Sequence, residues 1–272
     1  MNKTVCVITG GGSGMGLAAA KCMPKDKIIV VTGRTLSKLE GAVKELEELG
    51  YEAYAKTCDT SVREQVRELA EYAASLGEIR NVINSAGLSP AMADPEKLIR
   101  VNALGTVYVN EEFSKLMNPG SVIVDVSSNS AYILPGFLAS KKTFALADTD
   151  EEKFIKKILF LPNKLKGYKA SGLAYGLSKK FVIWYAAKSA FELGAKGIRV
   201  CSLSPGLIAT DMGNLEAEEG GSLLLTTAER RMGKPEELGF AIATVADERN
   251  GYLAGVDVLV DGGSVVGKGF VK

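Results

Sequence analysis

The 272-residue chain is 46% hydrophobic, with 33 Lys and Arg against 32 Asp and Glu, so it has apolar content for a full core and no basic excess suited to nucleic acid. It has no histidine, which removes Ser-His-Asp and Cys-His nucleophile systems, HExxH proteases and His-ligated metals together. The four cysteines, Cys6, Cys22, Cys58 and Cys201, show no CxxC spacing, so neither a disulfide framework nor a thiolate zinc site is expected.

Along the chain, Met1 to Gly10 holds a short apolar run without a cleavage-site pattern, and no later run approaches the roughly 18 apolar residues that span a bilayer. A soluble, cytoplasmic protein with no membrane partner is expected. Strand-like runs occur at Thr4 to Thr9, Lys27 to Thr32, Tyr51 to Lys56, Asn81 to Asn84, Ser121 to Val126, Ile198 to Leu203 and Val256 to Val260. Helical segments lie between them, which predicts one α/β domain over residues 1–272 with a doubly wound seven-stranded parallel sheet. Leu36 to Leu49 carries Leu39, Val43, Leu46 and Leu49 on one helical face, and Val62 to Leu76 carries Val62, Val66, Leu69 and Ala73. Gly50 and Gly77 are read as their stops. Lysine pairs at Lys141, Lys156 and Lys179 read as solvated faces.

Residues 135–170 interrupt this rhythm with a charged amphipathic stretch, Asp148 to Ile158, followed by Leu159-Phe160-Leu161-Pro162. A connection of that length in a compact domain signals a lid, a substrate loop or an oligomer contact. Beyond it, Ser171 to Leu193 reads as a helix.

Two patterns carry chemistry. The first is Thr9-Gly10-Gly11-Gly12-Ser13-Gly14-Met15-Gly16, directly after the first strand and opening a helix. Glycines there allow a tight turn, close approach of backbone amides to a pyrophosphate, and close packing of helix on strand. After the second strand comes Gly33-Arg34, with no acid for a ribose 2′-hydroxyl and a guanidinium suited to a 2′-phosphate. NADP(H) is therefore expected in preference to NAD(H), although an Arg lying over the adenine of NAD(H) is the alternative. The second pattern is Tyr175-Gly-Leu-Ser-Lys179, which puts a phenol and an ammonium at i and i+4 on one helix face. Without histidine, acid–base chemistry near pH 7 falls to such groups, and a neighbouring cation moves a phenol towards useful acidity.

In order along the chain, these motifs resemble those of the short-chain dehydrogenase/reductase family, a Rossmann-type fold. The resemblance implies that Tyr175 exchanges the proton, that Lys179 tunes it and binds the nicotinamide ribose, and that Ser128, in Val124-Asp125-Val126-Ser127-Ser128, holds the substrate oxygen. It implies that Asn102, in Val101-Asn102-Ala-Leu-Gly105, offers its carbonyl to a relay water, against the simpler reading of an Asn in a helix kinked near Gly105. Cofactor contacts are implied for Gly10, Ser13, Gly14, Met15, Gly16 and Arg34, and for Asn84, Ala86 and Gly87 of Asn84-Ser85-Ala86-Gly87. They are implied also for Asp59 and Thr60, with Asp59 equally readable as a helix cap, and for Ile208 and Thr210 of Ser204-Pro205-Gly206-Leu207-Ile208-Ala209-Thr210.

Ser128 and Tyr175 are 47 positions apart, far more than the family's usual separation, and Gly87 and Asn102 only 15. Both departures resemble the bacterial 3α-hydroxysteroid dehydrogenase/carbonyl reductase group. That implies a bulky apolar alcohol or ketone beneath the insertion, lined by Phe137, Leu138, Phe144, Phe154 and Phe160, unless the insertion is an oligomer arm with those rings as its contact. A homodimer or homotetramer is implied. The alternatives are a β-ketoacyl-type or small-carbonyl reductase and a non-catalytic NADP-binding regulator. No metal is required.

Overall fold

The computed structural model describes residues 3–219 and 226–270. Seven strands, β1 (Thr4–Thr9), β2 (Lys27–Gly33), β3 (Glu52–Thr57), β4 (Glu78–Asn84), β5 (Val122–Val126), β6 (Arg199–Pro205) and β7 (Asp257–Val260), form one sheet of order β3-β2-β1-β4-β5-β6-β7. Every pairing is parallel. All seven strands expected from the sequence are present.

Successive side chains of β1 point into different cores. Val5 and Val7 join the cluster under one set of helices, while Cys6 and Ile8 join the cluster under the other. A strand covered on both faces needs apolar residues at every position, which is why these runs lack the alternation of a half-exposed strand. The first part of the chain adds α1 (Gly14–Cys22), α2 (Leu36–Glu48), α3 (Arg63–Leu76), α4 (Pro95–Leu98) and α5 (Gly105–Ser114). The second part adds α6 (Ser130–Ile133), α7 (Lys141–Phe144), α8 (Glu151–Ile158), α9 (Tyr168–Gly194), α10 (Asp211–Glu219) and α11 (Pro235–Val245). Helices α1, α2 and α11 cover one face, and α3, α5 and α9 the other. No helix among the described residues is long and apolar enough to cross a membrane.

Two of the expected apolar stripes need correction at their ends. In α2 the buried positions are Leu39, Ala42 and Leu46, while Leu49 is exposed at the C-cap. In α3, Val62 is the exposed N-cap and the buried stripe starts at Val66. Gly50 follows α2 with φ of 85°, a left-handed conformation that suits glycine. Gly77 is required for a different reason: its backbone is extended, and a Cβ there would come within 2.3 Å of the Lys3 carbonyl oxygen.

The insertion is a packed layer. Asp150 caps α8 by accepting the Lys153 amide at 3.0 Å, with Glu151 and Glu152 in the first turn and Lys156 and Lys157 in the last, as the helix dipole favours. Its apolar face delivers Phe154, which is fully buried against Phe181 of α9 with ring centres 5.1 Å apart. Phe144 meets Phe181 edge-on at 5.3 Å, and Phe181 stacks on Tyr185 at 5.4 Å. Around this aromatic cluster, Arg63 pairs with Glu111, Glu112 and Glu151, and the Tyr108 hydroxyl donates to Glu151 at 2.7 Å. The expectation that the five apolar side chains line a substrate site is therefore overturned for Phe144 and Phe154, which lie in the core. Phe137 and Phe160 are exposed, Leu138 is partly buried against the core, and none of the five lines the clefts described below.

Truncating Phe154 to Ala removes the anchor of this layer and leaves a cavity against Phe181. Chemical denaturation should record a loss of about 3–5 kcal/mol.

Candidate active site

β1 pairs with β2 on one side and β4 on the other, so the chain leaves the carboxyl ends of β1 and β4 in different directions and opens a crevice there. Glycine makes the crevice floor possible. Gly10 has φ of 67°, and a Cβ on it would come within 3.0 Å of the Ala86 nitrogen. A Cβ on Gly16 would come within 2.4 Å of the Gly10 carbonyl oxygen. Ser13 is the N-cap of α1 with extended backbone, yet its side chain makes no capping hydrogen bond. The first-turn amides of α1 and the Ser13 hydroxyl thus remain for an anion.

This floor belongs to a groove that Arg34, Lys38, Asp59 and Thr60 also line. Both cationic side chains are exposed. Asp59 is not the cap of α3, whose N-cap is Val62. Its carboxylate instead accepts from the Ser61 amide at 2.9 Å and the Ser61 hydroxyl at 2.6 Å, closing the turn after β3.

At Gly87 and Leu88 the groove meets a second cleft, lined among others by Met15, Ser128, Tyr175, Lys179, Ile208 and Thr210. Ser128 is buried, and its hydroxyl accepts the Ser130 amide at 3.2 Å. Tyr175 is half-buried, and the Lys179 ammonium stands 5.8 Å from its ring centre. The Lys179–Lys180 pair is not a solvated face. Lys179 is 6% exposed and donates to the Val126 carbonyl at 3.0 Å, while Lys180 donates to the carbonyls of Ala131 and Leu134. A Cβ on Gly87 would approach the Lys179 nitrogen to 3.4 Å and the Asn102 side-chain oxygen to 3.3 Å.

Asn102 sits in a π-helical stretch, Ile99–Leu104, between α4 and α5. The kink expected near Gly105 is this widened turn, in which carbonyls fall out of the ordinary α-helical ladder. The Asn102 amide clamps Leu88, accepting from its N–H at 2.8 Å and donating to its C=O at 3.0 Å, and donates to the Ser178 hydroxyl at 3.3 Å. Its main-chain oxygen accepts the Thr106 hydroxyl at 2.9 Å.

Asn84 stands one layer behind the groove. Its oxygen accepts the Thr9 hydroxyl at 2.8 Å, and that hydroxyl accepts the Ala86 amide at 3.0 Å. It therefore braces the Ala86–Gly87 backbone and does not line the groove. Gly16 likewise acts through packing. Sequence reasoning missed Lys38, whose signal was its place four residues beyond Arg34, and missed Leu88.

The short chain dehydrogenase family matches residues 4–142, and the family described as enoyl-(acyl carrier protein) reductase matches residues 163–265. A short-chain dehydrogenase/reductase of Alternaria brassicicola is 28% identical over 97% of each chain. The 7alpha-hydroxysteroid dehydrogenase of Escherichia coli (strain K12) is 26% identical, over 95% of this chain and 93% of that one. Among solved structures, a dehydrogenase/reductase from Sinorhizobium meliloti 1021 superposes with a TM-score of 0.78 at 21% identity, covering 97% of this chain and 96% of its own.

Beneath the second cleft lies a buried carboxyl. Asp125, on β5 opposite Asn84, is fully buried and accepts from the Asn84 amide at 3.0 Å and the Asn110 amide at 2.8 Å. Burial pushes its pKa up to about 7 against the opposing pull of those two amides and of Lys179. Between about pH 4 and 7 the folded chain then holds a proton that the unfolded chain has released, so this group's contribution to stability falls as pH rises through that window and is constant above it. With Asp125→Asn as reference, the wild-type excess in unfolding free energy should decline across that window in urea titrations. A flat difference would show that Asp125 titrates as an ordinary carboxylate.

Proposed function

The chain belongs to the short-chain dehydrogenase family of oxidoreductases, and from that premise we propose that it interconverts a secondary alcohol and a ketone with NADP(H) in preference to NAD(H). The observation that carries this reading is the convergence of Ser128, Tyr175 and Lys179 on one cleft that runs into the glycine-floored groove. That groove fits a dinucleotide: Gly10 and Gly14 adopt left-handed backbone, and the start of α1 is uncapped by side chains. When bound, a nicotinamide cofactor supplies or accepts the hydride.

The chain's own residues do the rest. Gly10, Ser13, Gly14, Met15 and Gly16 form the phosphate turn, with Gly16 acting through packing. Asp59, Thr60, Ala86 and Gly87 border the adenosine end, braced by Asn84, and Ile208 and Thr210 border the nicotinamide end. Ser128 holds and polarises the substrate oxygen. Tyr175 gives that oxygen a proton in reduction and takes one from the alcohol in oxidation. The Lys179 ammonium stabilises the phenolate form of Tyr175, since an opposite charge nearby favours the ionised state. Asn102 positions Leu88 and offers its main-chain carbonyl to a relay water.

The preference for the 2′-phosphate is supported by Arg34 and Lys38, which line the same groove, since two cations reinforce each other on a dianion. For the substrate we favour a hydroxysteroid or other bulky apolar alcohol or ketone. The support is the likeness to a 7alpha-hydroxysteroid dehydrogenase. The insertion seals the outer side of α5 and α9, so we place the contacts of a homodimer or homotetramer elsewhere on the surface. The four free thiols fit a reducing cytoplasm.

Replacing Tyr175 with Phe should lower kcat by about 10²–10⁴ in an absorbance assay with ketone substrates, while NADPH binding followed by fluorescence is retained. Substantial residual turnover would remove the proton-transfer role. Arg34→Asp should lower kcat/KM for NADPH by roughly 10–100-fold and leave NADH less affected. Lys38→Ala should raise the KM for NADPH alone; equal effects on both cofactors would show that neither cation reads the phosphate.

A further inference from the structure

We propose that Asp125 is a positioning residue for the proton-transfer pair, its carboxylate serving as the internal counter-ion that keeps the Lys179 ammonium charged and seated against β5. The proposal rests on the reading of Tyr175 and Lys179 given above. An ammonium that is 6% exposed has lost most of its hydration, and a charge so buried is costly unless an opposite charge balances it. The carbonyl that Lys179 uses belongs to Val126, the residue next to Asp125. The positive charge of Lys179 in turn favours the ionised form of Asp125.

The hydrogen bonds around Asp125 favour the ionised form against the effect of burial. One carboxyl oxygen accepts from Asn84 and the other from Asn110. A group that receives a donor at each oxygen is acting as an acceptor only, the pattern of a carboxylate. β4 and α5 thus present neutral amides. From β6 comes Cys201 and from α9 come Tyr185 and Lys179, and burial pushes both the thiol and the phenol up, so they stay neutral. Among the described residues, Lys179 is then the cation that balances Asp125. Two groups that are each costly to bury alone become tolerable together.

The catalytic consequence has a direction. Lys179 helps Tyr175 only while it is charged. Because Asp125 ionises around neutrality, the seat of the ammonium strengthens as pH rises into the range where a phenolate is needed. A merely structural staple between β4, β5 and α5 would have no such effect.

Asp125→Asn keeps the shape and removes the charge. The side-chain oxygen of Asn110 has no partner, so its amide is free to turn over and accept the new N–H. Thermal midpoints of Asp125→Asn, Lys179→Met and the double variant should be non-additive, the double variant losing less than the sum of the single losses. In Asp125→Asn the basic limb of the pH–kcat profile should move down by about one pH unit or more, whereas Asn110→Ala, which keeps the carboxyl group and removes one of its two donors, should move it by less. Should Asp125→Asn fail to fold, a ¹³C-carboxyl NMR titration serves: Lys179→Met should raise the Asp125 midpoint by about one pH unit. Additive midpoints, an unmoved limb or an unmoved carboxyl titration would overturn the proposal. Full turnover by Tyr175→Phe would instead refute the proton-transfer reading while leaving a non-additive cycle intact.

Discussion

The structure depends on the close meeting of three stretches of backbone at Gly10, Gly16 and Ala86. A methyl group at Gly10 or Gly16 would enter the space of the neighbouring chain. With hydrogen there, α1 lies hard against the end of β1, and the loop after β4 closes over the same point. The phosphate turn, the floor of the groove and the meeting of its two halves at Gly87 follow from that contact. Specificity is then a matter of which side chains the surrounding loops bring to a fixed floor.

Behind the floor, a chain of buried polar groups ties sheet to cleft. It runs from the Ala86 amide through Thr9 and Asn84 to Asp125 and Asn110, crossing β1, β4, β5 and α5. Such a network is stabilising only when nearly all its members are satisfied, and it then specifies one arrangement more sharply than apolar packing does. Here it fixes the backbone that borders the cofactor groove and holds a carboxyl on β5, the strand on which Lys179 rests. Electrostatics and loop geometry are therefore coupled through the same few side chains.

How much of this was legible in the sequence depended on the range of the signal. The strands were, because two-sided burial demands unbroken apolar runs such as Ile28 to Val31. Tyr175 and Lys179 were, because their helical spacing is local. The glycine turn was too, and its individual glycines divide sensibly between conformation and close approach. Lys38 was missed because Arg34 precedes α2 while Lys38 lies within it, so their spacing of four does not by itself put them on one face. Asp125 was quoted within its motif, but nothing local distinguishes a charged residue at a strand end from one in the core. The insertion was recognised as extra and amphipathic. Its destination was misread, since an apolar helix face does not say whether it will cover substrate, a second subunit or the chain's own core.

The 27-residue helix α9 carries Tyr175 and Lys179 in its first half and, a few residues farther on, Phe181 and Tyr185, the rings on which the insertion rests. A helix of this length transmits displacement along its axis without much bending. The added layer and the reacting groups therefore share one mechanical element. Heat that peels away the insertion would also shift the turn bearing the phenol and the ammonium, so inactivation should be abrupt, with loss of activity and loss of the aromatic cluster as a single cooperative event.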